Sequence, residues 1–168
     1  MEAGGRIREP SCDGRDESGG WVIHEAMAVP APSLAADRRP IFWGVVVGLA
    51  QAATPLVIWW LDSATVYALG IAVIAAIYIG FAVADGRPRV IGVESGVAFA
   101  FVLVAGAAVT GSPWLLVAGI FGHGVKDLWQ HRTQFVSGMR WWPPFCMTVD
   151  FVVAAIFIVE IAAGMDFR

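Results

Sequence analysis

Residues 64–84 read ATVYALGIAVIAAIYIGFAVA, a run with no charged residue and no proline. The hydrocarbon core of a bilayer is about 30 Å thick, and a helix needs about 20 apolar residues to cross it. Lipid offers no hydrogen bonds to the backbone, so a crossing segment must be a helix or part of a closed barrel. The run lacks the two-residue alternation of a barrel strand. It therefore predicts a membrane-spanning helix.

Working outward, residues 41–61 are also uncharged, 90–110 carry only Glu94, and 144–164 carry Asp150 and Glu160. Residues 113–131 are apolar as far as Val125 and then turn polar, with Lys126, Asp127, Gln130 and His131. They are read as a further span, with a re-entrant half-helix as the alternative. The links at 62–63, 85–89, 111–112 and 132–143 are short, which implies antiparallel neighbours. The predicted fold is all-α: a polytopic transmembrane bundle of about five spanning helices in up-down order. Composition agrees. The 168 residues are 58% hydrophobic and 15% charged, against about 25% charged in an ordinary globular chain.

Residues 1–40 mix Gly, Ser, Pro and charges without periodicity and are expected to form a disordered cytoplasmic tail. Met27 is an alternative start, which would make residues 1–26 an artefact. No charged stretch followed by an apolar core opens the chain, so no signal peptide is expected. Five Arg are offset by seven acids in this region, which does not suggest nucleic-acid binding. Residues 165–168 are a short external C-terminus. Cys12 and Cys146 are read as two unpaired thiols.

Orientation follows from the bias of Lys and Arg toward the cytoplasmic side. With five spans, Arg38, Arg39, Arg87, Arg89, Arg132 and Arg140 share one side, with Lys126 close by, and only Arg168 lies opposite. The N-terminus is thus expected in the cytoplasm, in a cell inner membrane. Trp43, Trp129, Trp141 and Trp142 fall at the predicted inner interface, and Trp59, Trp60 and Trp114 at the outer one. An indole suits that depth because its ring is apolar and its N–H is polar.

Charges within the spans are costly, about 2.5–3.5 kcal/mol each at mid-membrane on insertion scales. At about 1.5 Å per residue, Glu94, Asp127 and Asp150 lie roughly 6–9 Å below the inner surface. Three carboxylates on three helices therefore share one layer. His123, Asp127 and His131 follow at i, i+4 and i+8, on one face of their helix. Carboxylates and imidazoles on facing helices build metal sites in bundles and also suit acid–base chemistry. Asp127, Asp150, Glu94 and His123 are the catalytic candidates. His123, Asp127 and His131 are the candidate ligands of a divalent metal. The plainer reading makes all of them helix-to-helix ties, with Lys126 or a loop Arg neutralising Asp127.

Gly44-x-x-x-Gly48 and Gly92-x-x-x-Gly96 have the spacing that lets membrane helices approach closely. The first is read as packing. The second places Glu94 at a tight crossing, unless Glu94 snorkels to the surface. Pro55 cannot bond the carbonyl of Gln51, so a kink is expected there; Gln51 lies near the midplane at the depth of His123, and a contact between those two is the alternative to a plain kink.

The stretch His123-Gly124-x-x-Asp127-x-x-x-His131-Arg132, followed by Trp142-Pro143-x-Phe145-Cys146-x-x-x-Asp150, resembles a signature in a group of small, uncharacterised bacterial multi-pass membrane proteins. The resemblance covers about 28 residues. The group tends to have a second histidine where this chain has Gln130 and an aromatic where it has Lys126. The resemblance implies no reaction. It marks His123, Asp127, His131, Cys146 and Asp150 as the residues to test.

Three functions remain open on the sequence. One is a membrane enzyme acting on a lipidic or isoprenoid substrate by acid–base or metal-assisted chemistry. A second is a proton- or cation-coupled transporter or channel, working as a homo-oligomer. The third is a non-catalytic membrane subunit. The expected partners are the lipid bilayer and a lipidic small molecule.

Overall fold

A computed structural model describes residues 38–165. Most of the expected tail, with Cys12 and Met27, lies outside the described residues, as does the end of the chain beyond Met165. The described residues are all-α, in six helices with no strand: α1 Arg38–Ala52, α2 Thr54–Val57, α3 Ser63–Asp85, α4 Pro88–Thr110, α5 Trp114–Thr133 and α6 Trp142–Ala162. Among them α3, α4 and α6 are long and apolar enough to cross a membrane.

The continuous helix expected over 41–61 is broken. It starts earlier, at Arg38, and ends at Ala52. The chain restarts as the single turn of α2 with Pro55 in its first turn. Proline has no N–H and its ring collides with the preceding turn, so the helix breaks instead of bending. At about 1.5 Å per residue, α1 is roughly 22 Å long, shorter than a hydrocarbon core. α5 has the length but carries Lys126, Asp127 and Arg132. Helices α3 to α6 lie within a few residues of their expected bounds.

Local chemistry explains the other ends. Asp62 caps α3, its carboxylate accepting from the Thr65 N–H at 2.8 Å and the Thr65 hydroxyl at 2.7 Å. These bonds favour the charged form and hold Asp62 below the ordinary carboxylate range. Gly86 ends α3 at a φ of 78°, a left-handed conformation that glycine adopts freely. Pro88 then opens α4, where its missing N–H costs nothing.

α6 packs against both α1 and α5, α5 against α4, and α4 against α3, which also touches α5. α1 meets α6 through Pro40, Gly44 and Gly48, its buried residues. Apolar side chains fill the half of the bundle where α3 begins, with Leu116, Val153 and Phe157 fully buried. There Tyr67 lies against the Phe157 ring, centroids 3.9 Å apart, and donates its hydroxyl to the Ala52 carbonyl at 2.7 Å. In the other half, Tyr78, Ala82 and Val90 pack with Val136 and Met139 from the α5–α6 connection.

Candidate metal and acid–base site

The polar residues of the core are Glu94, His123, Asp127, Gln130 and Asp150, all buried. His123 and Asp127 are one helical turn apart on α5, so both face α6. Asp150 reaches them because the two helices nearly touch at Gly124. A Cβ there would lie 3.2 Å from the Asp150 Cβ and 2.7 Å from the Phe151 ring. The His123 Nδ1 is 2.8 Å from Asp150 Oδ2 and 3.5 Å from Asp127 Oδ2. One ligand atom from each of the three lies within 4.8 Å of the others. The residues are 3%, 0% and 2% exposed respectively.

Aromatic rings wall this group. His123 stands edge-on to Phe101 at 5.0 Å and to Tyr78 at 5.5 Å. The Tyr78 hydroxyl faces Asp127, although no hydrogen bond of good geometry joins them. The His123–Asp150 pair is thus joined by a hydrogen bond, whereas the Asp127 carboxylate is enclosed, with the Tyr78 hydroxyl and the His123 Nδ1, 3.5 Å away, facing it.

The structure separates Glu94 from this group. Its carboxylate pairs with Lys126 Nζ at 2.8 Å, and the same ammonium sits 3.1 Å from the centre of the Tyr78 ring. Lys126 therefore makes its direct ion pair with Glu94 and acts on Asp127 only at longer range. His131 is also outside the group of three, and Asp150 holds the place expected for it. Each four-residue step on a helix rotates by about 40°, so two steps turn His131 well away from the direction of His123. Gln51 does not reach His123 either. The Gln51 amide lies instead against Gly70 of α3. Cys146 is a free, buried thiol one turn before Asp150.

Tyr78 was not singled out in the sequence, and Gln130 was noted there but not as part of the site. Tyr78 is a polar tip within an otherwise featureless apolar run. Gln130 is seven residues beyond His123, two turns along the same face, and that spacing was the available signal. Its amide has no hydrogen-bond partner.

Two carboxylates and one imidazole suit borderline and hard divalent ions such as zinc, manganese and iron. The 2.8 Å contact is a hydrogen-bond distance, the arrangement by which a carboxylate sets the tautomer of a histidine. The same three side chains can therefore hold a cation or exchange protons. No family model, curated protein or solved structure matches the chain.

Proposed function

We propose that this is a multi-pass membrane protein built around a divalent-metal site of His123, Asp127 and Asp150, where it carries out metal-assisted chemistry on a membrane-resident, lipidic substrate. The reading takes α5 as a further span and α1 with α2 as a broken one, giving five. It places the N-terminus and the α5–α6 connection in the cytoplasm, on the bias of Arg. The observation that carries it is Asp127. Its carboxylate is 0% exposed and makes no hydrogen bond of good geometry, with the His123 Nδ1 3.5 Å away. An uncompensated buried charge costs several kcal/mol, and the nearest ammonium, Lys126, is committed to Glu94. A cation shared by Asp127, Asp150 and the His123 Nδ1 removes that cost.

The test is metal content and metal titration of the protein purified in detergent, with cobalt as a spectroscopic stand-in. The expected result is one ion per chain and at least about tenfold weaker binding in Asp127→Asn and Asp150→Asn, with helicity unchanged. Protein that takes up no cobalt, zinc or manganese would sink the metal site. The 2.8 Å His123–Asp150 bond favours a second reading, in which Asp150 orients His123 as an acid–base pair and Asp127 carries a proton. That reading predicts a metal-free protein that still loses its activity in Asp150→Asn.

A further inference from the structure

The segment between α5 and α6 is not a free surface loop. It leaves α5 at Gln134, φ 49°, and turns again at Gly138, φ 79°. Between and after these turns it drives Val136 and Met139 into the bundle against Tyr78, Ala82 and Val90. Tyr78 is in turn the residue that walls His123 and lies under Lys126. One layer of side chains therefore separates this segment from the buried group.

The segment is tied down from outside by the turn between α3 and α4. Asp85 accepts the Ser137 N–H at 2.8 Å. Arg87 donates to the Phe135 carbonyl at 2.6 Å and to the Ser137 hydroxyl at 3.2 Å. Asp85 and Arg87 hold each other in a two-pronged pair at 2.6 and 2.8 Å. Paired ionic hydrogen bonds of this kind are strong and directional. They also stand at the edge of the structure: the Arg87 side chain is 55% exposed.

A second observation points the same way. The Gln130 amide and Trp142 Nε1, on the two helices this segment joins, are buried without a hydrogen-bond partner. Buried polar groups are normally satisfied. These are satisfied if the segment lifts and water enters.

We propose that residues 134–141 are a lid over the His123–Asp127–Asp150 group and that the Asp85–Arg87 pair is its latch. The lid matters for function only if the group receives something from outside, so its role rests on the reading above. Its movement does not, and it can be measured separately.

Cys146 is the reporter, a buried thiol in the second turn after the lid. With Cys12 replaced by Ser, the rate of Cys146 modification by a small maleimide reads how often the lid opens. Arg87→Ala should raise that rate about tenfold or more, the scale set by losing charge-assisted hydrogen bonds. Met139→Ala, which removes a side chain anchoring the lid, should raise it as well. A control protein carries A154C in place of both natural cysteines. Ala154 is buried on α6 in the far half, so it reports general loosening. Faster labelling at Cys146 with A154C unchanged in both variants supports the lid. No change at Cys146, or an equal rise at both positions, overturns it. Metal titration of the same variants distinguishes the two ideas. A protein that binds no metal refutes the metal site and leaves the labelling result to decide the lid by itself.

Discussion

α6 is flanked by two helices that approach it through glycines, and the two seams have different contents. Against α1, a Cβ on Gly44 would lie 2.6 Å from the Thr148 Cβ and 2.7 Å from the Phe145 carbonyl, and one on Gly48 would lie 3.0 Å from the Val152 Cβ. That seam holds apolar and small side chains. Against α5, Gly124 provides a similar approach, but the residues beside it are His123, Asp127 and Asp150. In one seam close approach produces packing alone. In the other it brings an imidazole within hydrogen-bond distance of a carboxylate on a different helix. Gly92 and Gly96 of α4 show a third outcome. Both face open space, so the tight crossing expected around Glu94 is absent among the described residues.

The contrast breaks first at the charges behind the polar seam. Lys126→Met leaves Glu94 buried with no cation. It should destabilise the protein by about 3–5 kcal/mol, because the orphaned charge is penalised in full. Adding Glu94→Gln should recover most of that loss. The thermal midpoint in detergent decides it, and a double variant as unstable as the single one would refute the pairing.

The dry seam should respond differently. Gly44→Val forces α1 away from the Phe145 carbonyl, which cannot swing aside. Overpacking of this kind costs about 1–3 kcal/mol. If the proposed metal site holds, metal retention should be unchanged, since no α1 residue enters the group. Gly92→Val, its counterpart in open space, should stay within about 0.5 kcal/mol of the parent. If Gly44→Val loses metal, the two seams are coupled and the contrast fails.

The smallest effect is expected away from both seams, at the Asp62 cap. Asp62→Ala should cost about 1 kcal/mol. The carboxyl of Asp62 has a lower pKa in the folded protein than in the unfolded chain, because the Thr65 side chain and then the Thr65 N–H bond its charged form. Its stabilisation is thus complete above the ordinary carboxylate pKa of about 4 and is lost as pH falls through the folded value. Thermal midpoints at pH 7 and pH 3 should therefore differ by less in Asp62→Ala than in the parent.

Much of the fold was legible because its signals are local. Long uncharged runs and the short link at 85–89 set where α3 ends and α4 begins, with no reference to any partner. Pro55 was legible as a disturbance, but not as a break. Whether a proline bends or interrupts a helix depends on whether later residues can resume it, and here only one turn does. That Glu94, Asp127 and Asp150 are polar residues within apolar helices was legible in the sequence, and all three are buried. How they pair was not legible. Nothing in residue order says that Lys126 turns toward Glu94, or that Asp150 and not His131 faces His123.

The sequence by itself determined an all-α chain with long apolar helices, and the fixed rise per residue predicted a common depth for Glu94, Asp127 and Asp150. Composition and periodicity act within a single helix, and burying a charge is expensive whatever its neighbours are. Only the tertiary structure decided which polar residues meet. That choice depends on rotation about each helix axis and on how closely two helices approach. Both are set at Gly44 and Gly124 by the side chains of α6, far away in the chain.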